Sequence, residues 1–332
     1  MKIFITGANG FVGSNFSKYF LERGWEVYGL VRTTSDLHFL DGLNVKLIYG
    51  DLLRPEAIEI PRDIPYFIHA ASIVSDLADE ETCYHNIYLL AVNLVRRIHE
   101  LNLPLRRLVY ISTALTLGIN GLNISEENPG RSAEFIAYAR HKINTEKYFR
   151  EQFEQTRLPV VILRPADIYG PNDRITCGRL LRACEKGSPL TVGRGRWQFG
   201  YCYVGNLCQA ASLALTKAGI EGKAYTVTNG ELPTWRTFFQ AIQKTLHKKQ
   251  RIYIPVWGAF AAAGLMQFVH KIVPGYDPPL TRYRIRRVTS HTTYDISRTI
   301  ADLGYDPDNR MEQQIEEIVA WYRKEKEHGF IK

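Results

Sequence analysis

At 332 residues the chain is long enough for two domains of about 150 residues each, or for one large α/β unit with an appended lobe. A composition of 45% hydrophobic and 23% charged residues is that of a globular protein, and it excludes a disordered, collagenous or disulfide-built chain. The 42 Lys and Arg against 34 Asp and Glu, a net charge of +8, suit an acidic ligand or surface but are too diffuse to point to nucleic acid.

Met1 leads straight into a β-like run, Lys2–Thr6, which leaves no room for the charged and apolar regions of a signal peptide. The cysteines at 83, 177, 184, 202 and 208 form no C-x-x-C pair, so neither a structural zinc nor a complete disulfide framework is expected. Both observations point to a reducing, cytoplasmic compartment.

Through the first half, short β-branched runs alternate with longer stretches of 3.6-residue periodicity. Strands are predicted at Lys2–Thr6, Glu26–Val31, Val45–Tyr49, Tyr66–Ala70, Arg107–Ser112 and Pro159–Leu163, and helices at Val12–Glu22, Glu81–Leu101 and Phe135–Phe153. That order makes a doubly wound parallel sheet by about residue 165. Glycine and proline then punctuate the chain at 170–171, 187–189, 193–195, 274–275 and 278–279, as in a smaller lobe built from insertions. Helices are predicted there at Leu207–Thr216, Thr234–Leu246 and Met311–Arg323, with one more strand at Lys223–Thr228. The expected division is a dinucleotide-binding domain over 1–165, its sheet completed by segments near 199–228, and a mainly helical substrate lobe over 166–332.

Ile254 to Val269 is nearly all apolar but contains Pro255 and Gln267 and ends at His270-Lys271. It falls short of the roughly 20 residues of a spanning helix. Its readings are a core helix, an apolar substrate contact, or a peripheral membrane contact through 254–272.

After the first strand, Thr6-Gly7-Ala8-Asn9-Gly10-Phe11-Val12-Gly13 is a G-x-x-G-x-x-G run that opens a helix. Gly7 and Gly10 allow a tight turn that brings amide N–H groups to a pyrophosphate at the positive end of the helix dipole, and Gly13 lets helix and strand pack closely. Strand, loop and helix in that order point to dinucleotide binding rather than to a bare glycine-rich turn. The second strand ends in Leu30-Val31-Arg32-Thr33-Thr34-Ser35-Asp36, with no acid before Asp36. A carboxylate there would hold a ribose 2′-OH, whereas Arg32 suits a 2′-phosphate, so NADP(H) is expected over NAD(H). The other reading of Arg32 is a solvated strand end.

Tyr138-Ala139-Arg140-His141-Lys142 places a phenol and an ammonium on one helical face. The same spacing at Tyr322 and Lys326 lies far from any catalytic strand and reads as surface chemistry. Ser112 and Thr113 set Tyr138 apart, because they stand at the C-terminal end of the fifth strand, where open α/β sheets bind ligands. A phenol with a pKa of about 10 is a poor base at neutral pH, but the Lys142 ammonium and an oxidised nicotinamide both favour the phenolate. Tyr138 can then exchange the carbinol proton while hydride moves to or from the nicotinamide.

These landmarks, with Gly50-Asp51-Leu52, Phe67-Ile68-His69-Ala70-Ala71, Tyr110-Ile111-Ser112-Thr113, Leu163-Arg164-Pro165, Tyr169-Gly170-Pro171 and Tyr203-Val204-Gly205-Asn206, occur in one order along nearly the whole chain. In that order the chain resembles the extended and atypical short-chain dehydrogenase/reductases. The resemblance implies an α/β Rossmann-type doubly wound parallel sheet with a smaller helical C-terminal substrate lobe. It implies a catalytic set of Thr113, Tyr138 and Lys142, with Thr113 rather than Ser112 as the hydroxyl partner and Lys142 also on the ribose hydroxyls. Cofactor contacts would come from Gly7, Asn9, Gly10, Phe11, Val12, Arg32, Asp51, Leu52, Ala70, Ala71, Tyr138, Lys142, Pro165 and Ile168. Asp51 would meet the adenine amino group, with a helix N-cap as its alternative. Ala70 and Ala71 would line the path to the nicotinamide ribose, and His69 would be structural. The run Asn86 to Ala91 departs from the family's Asn-Val-x-Gly-Thr, so Asn86 and Asn93 carry no assigned role. No metal site is expected.

Three branches of the family compete. Thr113-Ala114-Leu115 lacks the acidic pair that follows the catalytic Thr in sugar-nucleotide dehydratases. Sugar-nucleotide epimerases need no such acid, and Arg194, Arg196, Arg282, Arg284, Arg286 and Arg287 keep that reading open, although the last four read equally as one charged strand. The C-terminal third, with Pro233-Thr234-Trp235, Ile254-Pro255, Pro279-Leu280-Thr281-Arg282, Tyr294-Asp295-Ile296-Ser297 and Leu303-Gly304-Tyr305-Asp306-Pro307, is most similar to 3β-hydroxysteroid dehydrogenases, sterol-4-carboxylate dehydrogenases and 2-alkyl-3-keto acid reductases. The expected activity is hydride transfer at a secondary alcohol or ketone of a small hydrophobic substrate, in a monomer or homodimer without nucleic-acid partners. An epimerase, and a non-catalytic NADP-binding sensor or scaffold, are the alternatives.

Overall fold

In the computed structural model, which describes residues 1–187, 191–248, 253–273 and 275–330, the first half alternates strand and helix. The elements are β1 (Lys2–Thr6), α1 (Phe11–Leu21), β2 (Glu26–Val31), β3 (Lys46–Tyr49), β4 (Tyr66–His69), α2 (Glu80–Cys83), α3 (Leu89–Glu100), β5 (Arg107–Ile111), β6 (Gly121–Ile124), α4 (Ala137–Thr156) and β7 (Val160–Pro165). The predicted helix over 81–101 is divided by a π-helical turn at Tyr84–Tyr88. Its loosened ladder leaves the Asn86 carbonyl to accept the Ile73 amide at 3.2 Å, which ties the loop after β4 to this helix.

The second half supplies β8 (Asp167–Tyr169), α5 (Thr176–Glu185), β9 (Tyr201–Tyr203), α6 (Val204–Thr216), β10 (Ala224–Val227), α7 (Trp235–Thr245), α8 (Val256–Ile272), α9 (Arg282–Val288), β11 (Thr292–Tyr294), α10 (Ser297–Leu303) and α11 (Met311–Glu327). The main sheet is parallel, in the order β10-β7-β5-β4-β1-β2-β3. Within β1, Ile3 and Ile5 join the core beneath α1 and α6, while Phe4 joins the core beneath α3 and α4. Side chains alternate across a strand, so a sheet covered on both faces has strands that read as unbroken apolar runs.

Two small parallel sheets, β8-β9 and β6-β11, escaped sequence analysis, because strands of three or four residues carry no measurable alternation. In the lobe, α5, α7 and α11 share a core that includes Leu181, Phe238, Ile242, Ile315 and Ile318. The segment read as one charged strand is instead the helix α9. Its N-cap Thr281 accepts the Arg284 amide at 3.1 Å, and a helix turns Arg284 and Arg287 inward where a strand would have alternated them. Of the predicted loop positions, 188, 189 and 274 lie outside the described residues.

Candidate active site

The glycine loop is shaped by close approach. Gly7 has φ +69°, and a Cβ there would come within 2.9 Å of the Ala71 Cα, so only glycine lets the end of β4 lie against the loop. A Cβ on Gly13 would sit 2.1 Å from the Gly7 carbonyl oxygen, which explains why α1 starts so near β1. Gly10 is the N-cap of α1, no side chain caps it, and no acid occupies the first turn. An uncapped, acid-free helix start on a glycine cradle fits a dinucleotide pyrophosphate.

Around that cradle Thr6 joins two strand ends, its hydroxyl lying 2.8 Å from His69 Nδ1 and accepting the Ala71 amide at 3.2 Å. Burial, with Lys142 adding to it, lowers His69 to about 3, which favours the neutral ring. Asn9 donates to the Asp36 carbonyl at 3.2 Å. Phe11 and Val12 are half-buried at the start of α1, and Ala70 and Ala71 are half-buried beyond β4. The Asp51 carboxylate accepts the Leu53 amide at 2.9 Å, a local turn bond rather than the cap of a regular helix. Asn93 donates to the carbonyl of buried Leu52 at 2.6 Å, which gives Asn93 a role that its sequence context did not reveal.

At the end of β2, Arg32 and Ser35 close a turn in which the Arg32 amide donates to the Ser35 hydroxyl at 3.1 Å. The Arg32 side chain is exposed. Asp36, the first acid after β2, is engaged: Arg174 reaches its carboxylate at 2.9 Å, and the His38 amide together with Arg174 holds that carboxyl below its ordinary range. Sequence reasoning missed Arg174 because no motif marks it.

The catalytic candidates converge where β5 ends against α4. Tyr138 is only 9% exposed. Burial pushes its phenol well above the ordinary range, Tyr283 and Asp167 add to the effect, and a hydrogen bond with the Thr113 side chain works against it. Lys142 donates to the Ile111 carbonyl at 2.9 Å, and its Nζ lies 5.9 Å from the Tyr138 ring centre. Its burial lowers the ammonium to about 7, opposed by the Glu146 carboxylate. Ser112 is occupied elsewhere, donating to Glu146, and this leaves Thr113 as the hydroxyl beside the phenol. Pro165 is buried at the end of β7, and Ile168 is half-buried in β8.

Helix α9 closes over this group. Tyr283 packs with Ile73, Ala78 and Leu115 against the cluster that contains Tyr138. Arg284 binds Asp76 at 2.7 Å, as does the Thr281 hydroxyl, and Arg287 pairs with Asp167. Tyr283, Asp76 and Asp167 had no sequence signal. Of the second Tyr-x-x-x-Lys pair, Lys326 is exposed as expected, but Tyr322 is not. Tyr322 is fully buried, and both it and Lys326 bind Glu185 at 2.8 Å, joining α11 to α5.

A protonated phenol, with the Thr113 hydroxyl near it and the Lys142 amine one turn away, has the parts needed to donate a proton to a carbonyl oxygen. The family model for the NAD dependent epimerase/dehydratase family matches residues 3–228. The chain is 27% identical to a 2-alkyl-3-oxoalkanoate reductase of Shewanella oneidensis, over 96% of this chain and 85% of that one. It is 24% identical to a decarboxylating sterol-4-alpha-carboxylate 3-dehydrogenase of Candida albicans, over 97% and 98%. Its fold matches a UDP-glucuronic acid 4-epimerase of Bacillus cereus, with a TM-score of 0.78 at 20% identity and 98% of each chain covered.

Proposed function

The chain belongs to the NAD dependent epimerase/dehydratase family, and from that premise we propose an oxidoreductase that moves hydride between a nicotinamide and a secondary alcohol or ketone of a hydrophobic substrate. When bound, the nicotinamide supplies the hydride donor or acceptor. Tyr138 gives a proton to the carbonyl oxygen during reduction and takes it back during oxidation, and Thr113 hydrogen-bonds the same oxygen. Lys142 holds the ribose hydroxyls and favours the phenolate. Gly7, Gly10, Phe11 and Val12 cradle the pyrophosphate, Asp51 and Leu52 flank the adenine, and Ala70, Ala71, Pro165 and Ile168 line the nicotinamide half.

The observation that carries the substrate class is the apolar surround of Tyr138: Ile73, Ala78, Leu115 and Tyr283. It agrees with a long-chain 3-keto acid or a sterol; two relatives are named for a 2-alkyl-3-oxoalkanoate and a sterol-4-alpha-carboxylate. Arg284 and Arg287 are already held by Asp76 and Asp167, so they are poorly placed to take up a sugar-nucleotide diphosphate. Affinity along a chain-length series of 3-keto acids tests the reading, with each added methylene expected to strengthen binding by about 0.8 kcal/mol. Tight binding of UDP-sugars, with no response to chain length, would establish the epimerase reading in its place.

The cofactor is NADP(H), because Arg32 offers an exposed guanidinium at the end of β2 while Asp36 is tied to Arg174. Arg32→Ala should therefore lose about 1 to 3 kcal/mol of NADPH binding, the scale of a charge-assisted hydrogen bond, with NADH little changed. Fluorescence titration with both cofactors decides it, and equal losses refute the assignment.

A further inference from the structure

We propose that α8 is an interfacial helix that seats the protein on an anionic bilayer. The proposal deepens the reading of an apolar substrate, since it supplies the phase in which such a substrate dissolves.

Trp257, Leu265, Phe268 and Ile272 are 78%, 66%, 60% and 60% exposed. Their spacings of 8, 3 and 4 residues put them on one face of α8. The opposite face is already used: Ala259 and Ala263 are fully buried against Ile285 of α9. The helix is thus apolar on both sides, although water would favour a charged outer face. Scattered apolar residues on a surface need no explanation, but a continuous stripe of four large ones marks a contact.

Charge identifies the partner. From Leu232 to Tyr276 the sequence contains no Asp or Glu, while it carries Arg236, Lys244, Lys248, Lys249, Arg251 and Lys271. A cavity of about 620 Å³ lined by Arg236, Lys244, His247, Lys248 and Tyr253 opens just before α8, with Lys244 also reaching Glu312 at 3.1 Å. At the other end of the helix Lys271 is exposed, while the Arg282 guanidinium approaches the middle of α8 at Gly264. An apolar stripe between cationic ends complements anionic headgroups above acyl chains. A second copy would set like charges against each other. The bilayer also lies close to the chemistry, because α8 packs on α9, which carries Tyr283 to the Tyr138 cluster.

Sedimentation with vesicles tests this. Full-length protein should partition at least about tenfold more strongly into equimolar phosphatidylglycerol and phosphatidylcholine than into phosphatidylcholine alone, and salt should weaken the binding. Trp257→Ser combined with Phe268→Ser should reduce partition about tenfold or more. Both positions are exposed, so the thermal midpoint and turnover of a short, water-soluble ketone should remain as in the parent. Absence of vesicle binding by the parent, or equal binding by the variant, overturns the proposal. So does a parent dimer in vesicle-free sedimentation velocity that the substitutions dissociate, since the stripe then belongs to a second copy. Vesicle binding without turnover of any ketone would support the docking surface while refuting the oxidoreductase reading.

Discussion

Tyr138→Phe is expected to lower turnover by about 10²-fold or more, the contribution of a positioned acid or base, with cofactor affinity nearly unchanged. The substitution deletes one oxygen and keeps a ring that is only 9% exposed, so the packing of Ile73, Leu115 and Tyr283 around it persists. Lys142 is anchored by the Ile111 carbonyl at 2.9 Å, independently of the phenol, so the proposed contact of Lys142 with the ribose should survive. Burial keeps the parent phenol well above its ordinary range. Ketone reduction, which needs the protonated form, should therefore show no loss from Tyr138 as pH rises through neutrality, while oxidation should gain. Turnover and NADPH titration of parent and variant across pH 6 to 9 are the measurements. Near-parent turnover in the variant would remove Tyr138 from the chemistry.

The part of the site legible in sequence is the part built from contiguous residues. Gly7 to Gly13 declared a loop because glycine is the one residue that tolerates the approach of Ala71 and of the Gly7 carbonyl. Tyr138 and Lys142 shared a face because helical spacing requires it. What stayed hidden depends on partners distant in the chain. The segment from Arg282 alternates charged with aromatic or aliphatic residues as a strand does, yet Thr281 caps it as a helix, and its inward arginines meet Asp76 and Asp167 across the cleft. Tyr322 looked exposed on a charged helix until Glu185 of α5 is seen to accept its hydroxyl. Strands β6 and β11 are short and pair across about 170 residues, as the bond from the Asn123 amide to the Thr293 hydroxyl shows, which no local pattern encodes. Glu146 carried no assignment in the sequence, because spacing along a helix does not reveal the arginine it faces.

That arginine makes Glu146→Ala the substitution with the largest expected effect on stability, about 3 to 5 kcal/mol, the scale of breaking one partner out of a buried ion pair. Glu146 is 4% exposed and Arg164 6%. The Arg164 Nε lies 3.0 Å from each Glu146 oxygen, and the Ser112 and Thr116 hydroxyls donate to the same carboxylate. Truncation leaves the guanidinium with Glu126 alone, at 2.7 Å, and leaves Ser112 without its acceptor. The loss measures an uncompensated buried charge, not the net worth of the pair, so replacing Arg164 as well should restore much of it: Glu146→Leu with Arg164→Met should unfold at higher urea than Glu146→Ala. Because Ser112 adjoins Thr113 and Glu146 lies one turn beyond Lys142, the double variant should still lose turnover even where stability returns. Urea midpoints near the parent value for Glu146→Ala would show that Arg164 finds water or another anion, and the ion pair would then no longer account for how Ser112 at the end of β5 is held.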